Sequence, residues 1–501
     1  MPTRSKGRTD YDDVQVAAVL SVTWAGRTWY LATRSLVGSK FAADPGLVEE
    51  PTITDEISLE AGGDVGASFP VAFCLPAVRV QDLIDAGYDL EDITLELAIV
   101  WHRDGTLVHE WAAREVRAVG YAIEAVHDDP EQPAGYIACT LEDSPYRTER
   151  PVVPFSWEIT LDTFNFAPDF DVRYPWVLGR PAPDGEQGGP PAPVVLQVIS
   201  GAALVNSKIM VSVGWSIASE VKVHDSEGNS EVASIVYEQD GLGQTCALVD
   251  LSTTSLDDTL GVTYTTAWTE GPALTPYGDS DPLSIAAYLL AIGGADIDIP
   301  AWISSSRLLD LEMGGYIDDP DSRAWEVARN LLSGLPVTMR RARDGWAPVL
   351  LDPYLAKQVC STTWDEDGPY RRVSSWAGAG AARVGQVEVS ADVSDLRIGS
   401  TPARDAALPH AWVRHLDGLQ EVGLQTAWSW TASTRYRLAS WAARIGAMGW
   451  EAAAYQVPAS FGRVQAGEWV QLSSDKTYAI VQRRSLADGV WDYTLARPRA
   501  R

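Results

Sequence analysis

Two clusters carry the residue types for acid–base chemistry on sugars: Asp318 with Asp319, and Asp365, Glu366 and Asp367. The chain holds 68 Asp and Glu among 501 residues, so neighbouring acids arise by chance, and helix capping accounts for Asp318 and Asp319. The six histidines, His102, His109, His127, His224, His410 and His415, never take the spacing that sets two imidazoles on one helical face. Cys74, Cys139, Cys246 and Cys360 show no C-x-x-C pattern and read as small buried apolar residues. Residues 225–231 alternate oxygens as a calcium loop does, but Ser230 stands where glycine is needed and Val236 where a closing Glu is needed. Gly214 to Ala218 lacks the second glycine of a nucleophile elbow. Gly241 to Gly243 and Gly378 to Gly380 lack the third glycine of a phosphate cradle, and no G-K-[ST] occurs. The sequence therefore offers no catalytic residue, no cofactor-binding residue and no metal ligand set, and a non-enzymatic role is expected.

Charge and composition narrow the class. Thirty-nine basic against 68 acidic residues leave a net charge of −29, which repels nucleic-acid phosphates and anionic lipid heads. With 46% hydrophobic residues the chain builds true cores, and its length suits about three domains of roughly 150 residues. Arg4, Lys6 and Arg8 precede no apolar run, so no secretory signal is expected. The longest apolar stretches, such as Ile285 to Ile292, fall short of the ~20 residues of a bilayer span, so no integral membrane segment is expected. Only six of the basic residues are Lys, an arginine excess that fits carboxylate pairing at interfaces or a GC-rich genome. The 20 Trp suit cores, interface hot spots or sugar platforms.

Hydrophobic spacing predicts the elements that would carry any site. Residues 14–33 read as a hairpin about Ala25–Gly26, and Ile93 to Trp101 alternates as a half-buried strand. Asp104–Gly105 turns it back into Thr106 to Trp111, and Val116 to Ile123 and Tyr136 to Leu141 follow, with one short helix near Val80 to Ala86. Residues 10–155 are thus an antiparallel β-barrel. Residues 156–275 form a β-rich domain, with a linker at 181–193 where eight of thirteen residues are Pro or Gly. A small α/β domain spans 276–356, with helices after Asp281–Pro282, over Ile303 to Met313 and after Asp319–Pro320–Asp321, then a hairpin about Asp344–Gly345. Residues 357–501 form a C-terminal β-barrel with one helix, near Thr434 to Met448, and a closing meander. The fold class is mainly β and multidomain, antiparallel barrels with an α+β insertion of three helices and a hairpin. The basic clusters Arg340, Arg341 and Arg343, Arg371–Arg372, Arg483–Arg484 and Arg497, Arg499 and Arg501 are expected to meet acidic patches, with subunit contacts a natural use.

Two stretches resemble the tail hub, or baseplate hub, proteins of tailed bacteriophages and gene-transfer particles. The 281–356 unit is similar to the small α/β domain of those hubs. Leu438 to Pro498, with Val464-Gln465-Ala466-Gly467-Glu468-Trp469-Val470-Gln471-Leu472, resembles their last barrel, where a P-G-D-x-V turn opens the final strands; here Ala466 replaces the proline and Glu468 the aspartate. Tyr174 to Pro181 is similar to a proline-to-glycine strand of some such proteins. Together these cover a quarter to a third of the chain.

The resemblance implies a homotrimer whose paired barrels form a pseudo-sixfold ring at the tail tip of the virion, assembled in the host cytoplasm. Its implied partners are the distal tail and tail tube proteins, the tape measure protein and tip or fibre proteins. DNA would pass through the channel without specific binding, and an acidic lumen would ensure that. Two rivals come from other classes: a carbohydrate-binding adhesin using Trp24, Trp29 or Trp268 as platforms, and a cell-wall glycan hydrolase.

Overall fold

A computed structural model describes residues 14–145, 281–378 and 449–498 with short breaks, together with strands between 176 and 268 and between 386 and 430, and residues 437, 438 and 441. The 181–193 linker, Asp318 and Asp319, His410, His415 and most of 434–448 lie outside the described residues.

The N-terminal strands are β1 (Gln15–Trp24), β2 (Arg27–Ala32), β3 (Leu36–Gly38), β4 (Phe41–Pro45), β5 (Thr54–Glu56), β6 (Ala67–Cys74), β7 (Thr94–Arg103), β8 (Thr106–Leu107), β9 (Glu115–Val126) and β10 (Tyr136–Asp143), with helix α1 (Val80–Asp85) before β7. Six of them close a barrel in the order β1-β2-β4-β3-β8-β7, because β1 also pairs β7 along nine residues. Closure removes free edges without help from a partner. Ala17, Val19, Ala32, Leu36, Phe41, Ala43 and Val100 fill the lumen, and small side chains suit so narrow a barrel. The turns obey local rules: Ala25 and Gly26 (φ 50° and 71°) and Asp104 and Gly105 (φ 47° and 82°) supply the left-handed pairs that two-residue hairpins need.

Two expectations change here. Ile93 to Trp101 is half-buried, as expected, only in its first half, where Thr94 and Glu96 stay partly exposed opposite Leu95 and Leu97; from Ala98 to His102 both faces are buried, with Ile99 in the main core and Val100 in the barrel. Where both faces of a barrel-wall strand are covered, no wet face remains. The return strand β8 is only two residues long, and Trp111–Ala113 forms a 3-10 turn that stacks Trp111 on Phe41 at 4.1 Å.

Beyond the barrel, β7 continues into β9, β10 and β6. Next come β11 (Trp176–Gly179), β12 (Lys208–Val213), β13 (Ser216–Asp225), β14 (Ser230–Val232), β15 (Ser234–Gln239), β16 (Thr245–Asp250) and β17 (Thr259–Trp268), where β12-β16-β15 and β14-β13-β17 form two three-stranded sheets. Helix α2 (Pro282–Ile292) starts as expected, with Asp281 accepting from the Ser284 amide at 2.7 Å.

The second helix is displaced from its expected span. It is α3 (Ile299–Leu309), capped by Asp298 with Pro300 in its first turn, and it ends where Asp310 turns left-handed (φ 48°). Met313–Ile317 is instead strand β18, paired with β11. Helix α4 (Ala324–Ser333) and the hairpin β19 (Val337–Ala342) and β20 (Gly345–Leu350) complete this unit, whose core gathers Leu283, Leu289, Trp302, Leu331 and Trp346.

The C-terminal part contains helix α5 (Ala356–Val359), short strands β21 (Thr362–Trp364), β22 (Arg371–Arg372) and β23 (Ala377–Gly378), the pair β24 (Gln386–Ala391) and β25 (Glu421–Thr426), and β26 (Ser429–Trp430). The closing meander is β27 (Trp450–Pro458), β28 (Trp469–Leu472), β29 (Tyr478–Ala487) and β30 (Val490–Pro498). Its sheet, β21-β28-β29-β30-β27-β22, curls as a half-barrel and takes β5 as a further strand on β29.

Gly345 shows how tightly the α/β unit closes. At φ +137° its absent Cβ would stand 2.7 Å from the carbonyl of Asp296, whose oxygen accepts from the Trp346 amide. Gly345→Ala should therefore destabilise the protein by about 2 kcal/mol or more, read from urea unfolding monitored by tryptophan fluorescence.

Candidate functional site: the junction of the two β modules

The connection after β4 leaves the N-terminal module and lays Thr54, Asp55 and Glu56 opposite Ser485, Arg484 and Arg483 of β29. Backbone bonds extend the match, Ile57 N to Gln482 O at 2.9 Å and Leu486 N to Ile53 O at 3.1 Å. The N-terminal module thus lends a strand to the C-terminal sheet, and a single hydrophobic core runs from Leu20 and Phe73 through Leu351 to Trp364, Trp491 and Leu495.

Four charged side chains from three strands meet where the strand is lent. Asp55 Oδ2 accepts from Arg117 at 2.7 Å and from Arg484 Nε at 3.1 Å, while Glu115 Oε1 accepts from Arg117 at 2.8 Å and from the second amino group of Arg484. The four form a closed, neutral ring of alternating sign. Arg484 is 0% and Arg117 3% exposed, so water contributes almost nothing to balancing their charge. The Ala466 amide also donates to Asp55 at 3.0 Å, and the Arg484 guanidinium lies 4.8 Å from the centre of the Trp491 ring. Burial alone would raise the Asp55 carboxyl, but Arg117, Arg484 and the Ala466 amide outweigh it and hold the group below the usual carboxylate range.

Further contacts tie the α/β unit to both modules. Arg341 lies 3.6 Å from Asp143 of β10 and 3.6 Å from Asp296. Arg340 donates to Gln465 at 2.9 Å and Glu468 at 3.0 Å, and Trp469 Nε1 donates to Leu350 O at 2.9 Å. Asp143 behaves oppositely to Asp55: burial raises its carboxyl, and Arg341 together with the Val119 amide only partly offsets that.

Of the arginine clusters, Arg340, Arg341, Arg483, Arg484 and Arg497 meet acidic partners, and they find them within the same chain, Arg497 pairing with Glu451 and Asp475 at 2.7 Å each; Arg371 and Arg372 are exposed, and Arg499 and Arg501 lie outside the described residues. Asp55, Glu115 and Arg117 drew no notice in the sequence. Only the alternation Glu115-Val116-Arg117, two opposite charges on one face of an otherwise apolar strand, hinted at a buried pair.

Among the described residues, those singled out for chemistry do not converge. Glu366 accepts from Tyr455 OH at 2.8 Å and from Ser474, while Asp365 accepts from the Asp367 amide at 3.2 Å as a turn. His102 is buried, its Nδ1 accepting from the Gly105 amide at 3.3 Å, and His109 meets Arg463 at 2.7 Å. Among the described residues no group of three His, Cys, Asp or Glu could hold a metal, and no helix is long and apolar enough to cross a membrane. Cys139 and Cys246 are buried, whereas Cys74 and Cys360 are only partly so.

No family model and no curated protein matches this chain. Solved structures do align with it. The 43 kDa tail protein of prophage MuSo2 from Shewanella oneidensis is 8% identical over 96% of this chain and 98% of its own, with a TM-score of 0.35. A chain of the native gene transfer agent virion is 14% identical over 65% of this chain and 84% of its own, at 0.40. A chain of the Francisella PdpA–VgrG complex is 5% identical over 97% of this chain and 52% of its own, at 0.30. Superpositions this loose leave the functional reading to the chain's own geometry.

Asp55→Asn leaves two buried guanidinium groups facing one carboxylate, and should cost about 3–5 kcal/mol at neutral pH in urea unfolding. The sign for pH follows from the lowered carboxyl: Asp55 contributes stability above its unfolded value of about 3.9, and that contribution is lost as pH falls through the lower folded value. The variant should therefore lose less stability than the wild type on acidification. Asp143, raised on folding, contributes with the opposite slope, so Asp143→Asn should cost less than Asp55→Asn.

Proposed function

We propose that the chain is a structural, non-enzymatic hub of a phage-type tail tip, in which three copies close a ring around a DNA channel. The observation that supports this best is the rigid union of the closed barrel and the half-barrel sheet through β5 and the buried charge ring. Two β modules fixed to one another in each of three chains supply six wall segments, the match a sixfold tube needs to a threefold tip. The resemblance of 281–356 and 438–498 to hub domains points the same way. Its partners would be the distal tail and tail tube proteins, the tape measure protein and tip or fibre proteins, in a virion assembled in the host cytoplasm.

A net charge of −29 suits a wall past which DNA slides without being held. The rival readings find less support. Trp24 is 2% exposed and its Nε1 donates to Asp89 O at 2.8 Å, and Trp29 packs partly buried against the core, so neither is a sugar platform; the Trp268 side chain lies outside the described residues. For a hydrolase, the carboxylates of Asp55 and Glu115 do converge, but arginines neutralise both and both are mostly buried.

Native mass spectrometry of the full chain should show trimers, or multiples of them, at micromolar concentration. The same protein should leave double-stranded DNA unretarded in a mobility assay even at low salt. A persistent monomer, or avid retention of DNA, would overturn the reading.

A further inference from the structure

The six-stranded barrel closes unevenly. β1 pairs β7 along nine residues, whereas β8 pairs β7 at two positions and β3 at one, Val37 with Thr106. The wall between β3 and β7 therefore hangs on the Asp104–Gly105 turn, and Gly105 is held from both sides. Its carbonyl accepts from the Val37 amide at 2.8 Å, and its amide donates to Nδ1 of His102 at 3.3 Å. A line of hydrogen bonds thus runs from the imidazole, through one residue, to β3.

His102 stands on β7 two residues past Val100 and so shares its inward face, with Gln15 of β1 and Leu107 of β8 opposite it in register. It is 1% exposed. Among the described residues three charged groups face the ring: Arg34 before β3, Glu50 after β4 and Asp104 in the turn. Arg34 is anchored by Gln15 Oε1 at 3.2 Å, and Glu50 accepts from the Ala18 amide of β1 at 2.9 Å. Gln15 and Leu107 do not titrate. Burial, and then the Arg34 charge, lower the proton affinity of His102, and Glu50 and Asp104 offset only part of that.

Nδ1 accepts only while it carries no hydrogen, and a protonated imidazole is a donor at both nitrogens. Protonation would set a donor against the Gly105 amide and a second cation beside Arg34, in a site with little water to screen them. The Ala25–Gly26 turn of the same barrel has the same left-handed pair of residues but no imidazole.

We propose that His102 is an acid-sensitive latch on the barrel wall: on taking up a proton it releases the Gly105 amide, and β8 parts from β3. Parting frees the edges of both strands and lets water reach Leu36 and Val100 in the lumen, so a closed wall becomes one able to pair. The sign follows from the lowered affinity of the folded ring. The latch holds fully above the ordinary imidazole value of about 6.5 and weakens as pH falls from there toward the lower folded value.

The test is amide hydrogen exchange of the full chain, read by mass spectrometry from pH 7.5 to pH 5 and corrected for the intrinsic rate at each pH. Protection of peptides covering residues 34–38 and 103–108 should fall roughly 10-fold or more, while the Ala25–Gly26 turn keeps its protection. His102→Asn offers an acceptor that does not titrate, and its protection should stay level across the range. Arg34→Gln, at an exposed residue, removes a charge that opposes protonation, so its fall should be shallower than in the wild type. Level protection in the wild type overturns the latch, as does an equal fall at the Ala25–Gly26 turn, which marks general unfolding. A fall that persists in His102→Asn overturns it too. Should that variant fail to fold, Arg34→Gln decides, and a fall as deep as the wild type's overturns the proposal.

Discussion

A charge that cannot reach water must find its opposite within a few ångströms, and in this protein that requirement is met by segments far apart in the chain. Arg484 has no exposed surface, and both of its carboxylate partners come from the N-terminal module. Desolvation opposes charging at Asp55 and Arg484, so the ring persists only while all four side chains are present and aligned. This converts an electrostatic necessity into a geometric one: β5 must lie on β29 in one register, and β9 must approach them both. The relative placement of barrel and half-barrel follows from that register rather than from a compliant linker.

The same ring explains the departure from the hub-like turn. A proline at 466 has no amide hydrogen, whereas Ala466 uses its own to complete the coordination of Asp55. Gly467 follows at φ +87°, its amide donating to Val481 O at 2.7 Å, so the tight turn into the last strands is retained while its first residue is put to a different use. The abundance of Trp also finds an interior account: Trp24, Trp302, Trp364 and Trp491 are among the largest fully buried side chains, filling volume between layers.

Local chemistry was legible in the sequence because local chemistry decides it. The Ala25–Gly26 and Asp104–Gly105 turns, the Asp281 cap and the closing meander follow from nearest-neighbour rules, and the structure places each close to its expected bounds. The second helix was mislocated because Asp298 with Pro300 repeats the Asp281–Pro282 signal, while Ile303 to Met313 continues a helical spacing past the point where Asp310 breaks it. The barrel itself was legible, but the strands that close it and the strand lending were not. They depend on pairings such as β1 with β7 and β5 with β29, and Thr54–Glu56 has neither the length nor the apolar alternation of a recognisable strand. The junction was invisible for the same reason, since nothing local distinguishes Asp55 from the other acids of so acidic a chain.

Strand lending also sets a timetable for biosynthesis. Arg484 follows Asp55 by 429 residues, and at about 5–20 residues per second a ribosome takes about 20–90 s to deliver the one after the other. Throughout that interval the nascent N-terminal half holds an unfinished core and a carboxylate without its second cation. Its barrel is free to close early, but the molecule reaches its lasting form only when the final fragment emerges, so a prematurely terminated chain is left open and conspicuous to quality control.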